Sequence, residues 1–357
     1  MPLAMPVVWS ESCRLHDPGG EIWIGVRTEG TEVAARVDSV RDVLARNDAR
    51  IVEAERHSDE SLLRVHDDSL VSYLSSAWEE WTSAGLPEDP GQNRVVPYVF
   101  AHASLTSGRP PRLPAATWAK PGFFAYDTMT LVGPGTWEAA RAAVDVALTA
   151  VDLVLAGERA AYGCCRPPGH HAARSCYGGS CYLNNSAVAA VELVERIGAP
   201  VAVLDIDAHH GNGTQELFYD RADVLVGSVH VDPGAGWFPH FLGFADETGA
   251  GAGKGANCNV PLAPASGDRE WLAAVETLVE LARSRKAKAV VVPLGVDAAE
   301  GDPESPLRVT AAGFREAGRR IGALGLPTVL VQEGGYDLST LGELVAETLL
   351  GVEEGMA

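Results

Sequence analysis

The chain has 357 residues, 46% of them hydrophobic, and carries 48 acidic against 28 basic side chains for a formal charge of −20. That balance repels phosphate backbones, so nucleic acid is not an expected partner; it suits solubility and the attraction of cationic substrates equally. No apolar run is long enough for a membrane span, the opening MPLAMPVVWSESC lacks an export-signal pattern, and six cysteines without a CxxC pair argue for reduced thiols, so a soluble cytoplasmic protein is expected.

In chain order, residues 85–122 stand out first, being rich in Pro, Gly and Arg with little periodicity; a loop of that length covers a site or makes a subunit contact. A helical stretch at 136–156 follows a Pro-Gly start signal. A strand-like run at 160–165 then leads into CRPPGHH, where Pro167, Pro168 and Gly169 end the strand and leave His170 and His171 adjacent. Helical periodicity returns at 185–197, 269–285 and 310–324. Between these stretches lie apolar, β-branched runs at 201–206, 224–229, 289–296 and 328–332. The Gly-rich 249–257 lacks the Lys-Ser/Thr pair of a phosphate loop and reads as a flexible surface turn. Strands alternating with helices predict a three-layer α/β/α fold around a mostly parallel sheet, with ligands beyond the carboxyl ends of the strands.

The chemistry collects at those ends. Side chains alternate along a strand, so Asp205, Asp207 and His209 are expected to share one side of the 201–214 segment. Buried carboxylates need compensation, and a bound cation supplies it. Asp207, His209 and Asp297, the last from LGVD, would form a two-oxygen, one-nitrogen site with a position left open; zinc and iron(II) both suit such ligands. Amide hydrolysis follows, with His170 and His171 as the acid–base pair. Asp205 and Asn212 are placed to orient the two rings, the carboxylate favouring a cation and the amide a neutral base. Tyr336, carried by QEGGYD, would stabilise the oxyanion. The remaining histidines read as core or surface groups, with His16 and His102 the candidates for a pocket rim.

RPPGHHA, LDIDAHHGNGT, LGVDAAEGDP and QEGGYDL together resemble the signature blocks of the zinc-dependent histone deacetylase superfamily. GTWEAA, AGERAAY and PHFLGFADETG are similar to bacterial acetylpolyamine amidohydrolases and class II deacetylase-like amidohydrolases. The resemblance implies one catalytic domain of arginase-deacetylase fold over residues 1–357 with an insertion at about 85–122. It implies zinc on Asp207, His209 and Asp297, general acid–base chemistry by His170 and His171, and carbonyl polarisation by Tyr336. It further implies structural K+ or Na+, at Asp205, Asp207, His209 and Ser228 and near the backbone of Phe218, Arg221 and Val224. A homodimer whose 85–122 insertion narrows the entrance, and a small N-acyl amine as substrate (an acetylpolyamine, acetyl-lysine or other metabolite), complete the expectation.

Two departures bear on the substrate. The family places an aromatic tunnel wall after Gly178-Gly179, where this chain has Ser180; Trp237 and Phe238 are candidates for the opposite wall, and Gly179 and His16 for further pocket lining. Residues 110–122 also lack the acid expected to meet a polyamine ammonium, for which Glu88 and Asp89 are the substitutes. A binuclear manganese ureohydrolase of the same fold and a non-catalytic acyl-ligand-binding relative are the alternatives; the first needs a denser Asp-x-Asp pattern than GVDAAEGD, and the second would not need every polar group retained.

Overall fold

The computed structural model describes residues 3–198 and 200–357. Its strands are β1 (Val7–Trp9), β2 (Glu21–Trp23), β3 (Val26–Thr28), β4 (Ile51–Glu53), β5 (Ala160–Gly163), β6 (Val201–Asp205), β7 (Val224–Val231), β8 (Asn257–Leu262), β9 (Ala289–Leu294) and β10 (Thr328–Gln332). Eight of them form one parallel sheet in the order β4-β1-β5-β10-β9-β6-β7-β8, and β2 and β3 make a separate antiparallel hairpin.

Period-two alternation sorts the central strands between two cores. Val201, Val203, Ala289, Val291, Val329 and Val331 face one apolar layer, and Ala202, Leu204, Val290, Val292 and Leu330 face the other. Helices Asp68–Ser83, Thr136–Leu155, Asn185–Ile197 and Asn212–Phe218 cover the first face. Helices Ala35–Arg46, Asp268–Ser284, Ala311–Gly322 and Leu341–Met356 cover the second. This is the three-layer arrangement expected, because strands buried on both sides are read as continuous apolar runs.

Local chemistry fixes the helix starts. The Asn184 side chain accepts the Ala187 N–H at 2.9 Å, and the Thr310 hydroxyl accepts that of Gly313 at 3.2 Å. Gly135, with φ of 74°, precedes Thr136 where a Cβ would lie 2.2 Å from the Leu15 carbonyl oxygen. Strands β1, β4 and β8 and helices Ala35–Arg46, Asp68–Ser83 and Leu341–Met356 lie outside the segments singled out in the sequence. Two of those strands are three residues long, too short to show a period. The Gly-rich 249–257 turn packs closely: a Cβ on Gly253 would meet the Tyr219 carbonyl oxygen at 2.5 Å. No helix among the described residues is long and apolar enough to cross a membrane.

Candidate active site

The strands β5, β10, β9 and β6 are consecutive neighbours at the middle of the sheet, and each hands its carboxyl end to one of the polar blocks. His170 and His171 follow β5, Tyr336 follows β10, Asp297 follows β9, and Asp207 and His209 follow β6. Parallel pairing thus gathers residues far apart in sequence.

β6 ends at Asp205, so Asp207 and His209 stand in the loop beyond it and strand alternation alone does not aim them. The loop is held by its own carboxylates. Asp205 Oδ1 accepts the Asp207 N–H at 3.1 Å, Asp207 Oδ1 accepts that of His209 at 2.8 Å, and Asp297 Oδ1 accepts that of Ala208 at 2.8 Å. Gly334 donates its N–H to Asp207 Oδ2 at 2.8 Å, and a Cβ there would sit 2.5 Å from Asp297 Oδ2.

One ligating atom each from Asp207, His209 and Asp297 lie within 4.8 Å of one another. His209 Nδ1 is 2.9 Å from Asp297 Oδ2 and 3.4 Å from Asp207 Oδ1. Burial and then the Asp207 charge push the Asp297 carboxyl up to about 7. A divalent cation where the three atoms converge would keep both carboxylates ionised, so this donor set fits a metal.

The two imidazoles beside it are opposites. His170 Nδ1 donates to Asp205 Oδ2 at 2.9 Å; burial opposes its charge, yet Asp207 and Asp205 outweigh burial and raise the ring to about 10. His171 Nδ1 donates to the Asn212 side-chain oxygen at 2.7 Å, and burial together with the His170 and His209 charges lowers it well below the usual range. The rings are 4.0 Å apart between centroids, so charge on one disfavours charge on the other. Glu333 fixes their backbone: its Oε2 accepts the N–H groups of Gly169 at 2.6 Å and His170 at 3.1 Å, while Ser186 donates to Oε1 at 2.9 Å.

Tyr336 is held from two sides. The Arg36 guanidinium lies 4.7 Å from its ring centroid and donates to the Gly335 carbonyl at 2.7 Å, and Asp302 Oδ2 accepts the Tyr336 N–H at 2.8 Å.

The pocket above these groups is lined by Glu21, Thr31, Met129, His171, Gly179, Ser180, His209, Phe238, Glu304 and Tyr336. Phe238 stands edge-on to His171 at 4.9 Å and forms one wall. Opposite it, Gly179 donates its N–H to Asp127 Oδ2 at 2.6 Å, and Ser180 donates to Thr130 Oγ1 at 2.9 Å. A Cβ on Gly179 would lie 2.5 Å from the His171 ring, so the loop needs glycine to come this close.

Two expectations are corrected. His16 is buried away from the pocket, between Thr136 Oγ1 at 3.0 Å and Glu32 Oε2 at 3.5 Å, because Glu32 also draws in Arg166 and Arg36 to form a buried charge cluster. Trp237 turns to the core and lies outside the pocket wall that its neighbour Phe238 supplies. Within one chain the pocket lining includes Glu21 of the β2–β3 hairpin and none of residues 85–122, Glu88 and Asp89 among them, while the narrowing expected of that insertion concerns a homodimer.

The acids in the pocket lining are Glu21 and Glu304, which the sequence reading did not single out. Burial, then the charges of Glu304 and Asp127, push Glu21 up to about 7. Glu304 accepts a hydrogen bond from Thr31 Oγ1 at 2.8 Å. Glu333, Asp302 and Glu304 lie in or beside the recognised blocks, and that adjacency was the available signal; Glu21, Thr31 and Arg36 come from the N-terminal segment, which carries none.

Register sets Asp205 opposite Ser228, whose hydroxyl lies 2.8 Å from His230 Nδ1. Arg221 pairs with Asp223 and lies over the Phe218 ring.

Comparison with known proteins bears on the family and the fold. The histone deacetylase domain family matches residues 30–352. The acetylpolyamine amidohydrolase of Mycoplana ramosa is 38% identical over 351 residues, covering 98% of this chain and 99% of that protein. A histone deacetylase-like amidohydrolase of Pseudomonas aeruginosa is 39% identical over 238 residues, covering 63% and 61% of the two chains. The crystal structure of acetylpolyamine aminohydrolase from Burkholderia pseudomallei superposes with a TM-score of 0.92 at 36% identity, over 99% of both chains. The chain belongs to the histone deacetylase family.

Proposed function

We propose that this protein is a metal-dependent amidohydrolase that removes an acetyl group from a primary amine bearing a second cationic group. One observation carries the reading: three ligating side chains converge beside two imidazoles, one held by a carboxylate and one by an amide, next to a pocket lined by two carboxylic side chains. Acetylpolyamine amidohydrolases are named for substrates of this class. Glu21 and Glu304 support the same class here, since an ammonium between them would relieve the repulsion that raises Glu21 and hold its carboxyl ionised.

Asp207, His209 and Asp297 would hold zinc, with iron(II) compatible with the same donors. When bound, such an ion supplies Lewis-acid polarisation of the amide carbonyl and acidification of water. His171 takes the proton of the attacking water on Nε2, because its Nδ1–H is committed to Asn212. His170, kept protonated beside Asp205, places positive charge near the developing oxyanion. The Tyr336 hydroxyl donates to that oxygen, and the protonated imidazole returns its proton to the leaving nitrogen.

A potassium or sodium ion at Asp205, Asp207, His209 and Ser228, with another near the backbone of Phe218, Arg221 and Val224, would brace the loop beyond β6; the Asp205–Ser228 register supports the first. Exposed Trp23 and Ile24 on the hairpin and Tyr98, Leu105 and Trp118 in the 85–122 segment support a homodimer. Six unpaired cysteines suit a reducing compartment such as the cytoplasm. The decisive experiment assays metal-loaded protein on acetylated polyamines, acetyl-lysine peptides and other N-acetyl metabolites while counting bound metal. Hydrolysis of the cationic acetamides with one ion per chain is expected. Inertness across the panel, or two manganese ions per chain, would overturn the reading.

A further inference from the structure

Asp302 belongs to neither the ligand set nor the pocket lining, yet it touches the loops that carry both ends of the pocket. Its Oδ2 accepts the N–H groups of Tyr336 at 2.8 Å and Asp337 at 3.3 Å, in the loop after β10. Its Oδ1 accepts the Glu304 N–H at 3.0 Å, in the loop after β9. The residue is 7% exposed, so water does not substitute easily for either set of bonds. The Glu304 side chain is in turn steadied by Thr31, and the Tyr336 ring rests against Arg36.

We propose that Asp302 is a positioning residue that sets Glu304 and Tyr336 relative to one another, so that an ammonium placed against Glu304 brings its acyl group into register with the phenol. The proposal rests on the deacetylase reading above. A carboxylate fits this place because all three of its partners are donors and an ionised carboxylate has acceptor sites alone. An amide does not fit. With Asp302→Asn, the single oxygen stays with the two N–H groups of Tyr336 and Asp337, and the new NH2 faces the Glu304 N–H, so the Glu304 loop is the one displaced. Asp302→Ala frees both loops.

The test compares N-(4-aminobutyl)acetamide with the neutral N-pentylacetamide. The wild type is expected to prefer the charged substrate in kcat/KM, and Glu304→Gln to reduce that preference about tenfold, the worth of one charge-assisted contact. Asp302→Asn should lose the preference to the same degree, chiefly through KM. Asp302→Ala should lose it and also lower kcat on both substrates about 100-fold, and adding Tyr336→Phe to Asp302→Ala should lower kcat no further than Tyr336→Phe alone. Equal losses on both substrates with the preference intact, or additive effects of Asp302→Ala and Tyr336→Phe, would show a merely structural role and overturn the proposal.

A second measurement needs no turnover. In protein labelled with 15N-tyrosine, 1,4-diaminobutane should shift the Tyr336 amide resonance in the wild type and leave it unmoved in Asp302→Ala. No shift in the wild type, or an equal shift in the variant, overturns the positioning role. Should the wild type hydrolyse neither acetamide, the deacetylase reading fails, and the amide resonance still decides the role of Asp302.

Discussion

Asn212→Asp tests the assignment of His171 as the neutral base. The Asn212 oxygen accepts the Nδ1–H of His171 at 2.7 Å, so the substitution puts a carboxylate where an amide now polarises the ring without adding charge. With charge centres about 4 Å apart and an effective dielectric of about 20, the attraction is about 4 kcal/mol, equivalent to about three pKa units. Asn212 is buried, so the new carboxylate loses hydration and part of that gain is cancelled, leaving a rise of about one to three units. The imidazole of His171 starts well below its usual range because of burial and its neighbouring imidazoles. The sign follows: the base must be deprotonated to act, so raising its pKa moves the acid limb of kcat/KM to higher pH, while the rate above that limb persists. The assay is kcat/KM on a cationic acetamide from about pH 5 to about pH 10, with metal content checked at each point. An acid limb that stays in place in Asn212→Asp would refute the reasoning.

Tyr336→Phe and His171→Ala should bind metal as the wild type does and turn over about 10²- to 10⁴-fold more slowly; equilibrium dialysis and steady-state kinetics check the two halves separately. Glu333→Ala should destabilise the fold by about 3–5 kcal/mol in urea unfolding, since it strands the buried N–H groups of Gly169 and His170, whereas Glu333→Gln, which can still accept both and donate to Ser186, should cost about 1 kcal/mol. Equal losses would show that the turn does not depend on that acceptor. His66 gives a pH window away from the metal site. Its Nδ1–H donates to the Ala173 carbonyl at 2.9 Å and its Nε2 accepts the Asn184 N–H at 2.8 Å, so only the neutral ring fits, and burial lowers it to about 4. The unfolded chain, at about 6.5, binds the proton first, so this stability is complete above about pH 6.5 and is lost as pH falls towards about 4. Wild type should lose about 2 kcal/mol more than His66→Gln between about pH 7.5 and about pH 5, measured by urea unfolding; parallel losses would remove His66 as the cause.

Much of the site could be read early because its groups lie within short, unusual strings. Two adjacent histidines after Pro-Pro-Gly, alternating acids and imidazoles after an apolar strand, and Gly-Gly-Tyr after another leave few chemical readings. The pocket mouth was harder to read. Glu304 falls one residue beyond the LGVDAAEGDP block, and Glu21 and Thr31 lie far from every motif, on and beside a hairpin with strands of three residues. His16 shows the opposite failure: it is a candidate for the rim by residue type, but Glu32 gathers Arg166 and Arg36 into a buried cluster and takes His16 with them. Trp237 and Phe238 are adjacent, yet the core takes one and the pocket the other.

The sequence by itself determined the strand and helix alternation, the parallel sheet and the kinds of group that gather at its carboxyl ends, because periodicity and donor chemistry are local properties. Only the tertiary structure decided which acids line the pocket and which carboxylate joins the backbone of Glu304 to that of Tyr336. Those relations run across loops from strands far apart in the chain, and their geometry is set by packing and backbone hydrogen bonds that no single segment contains.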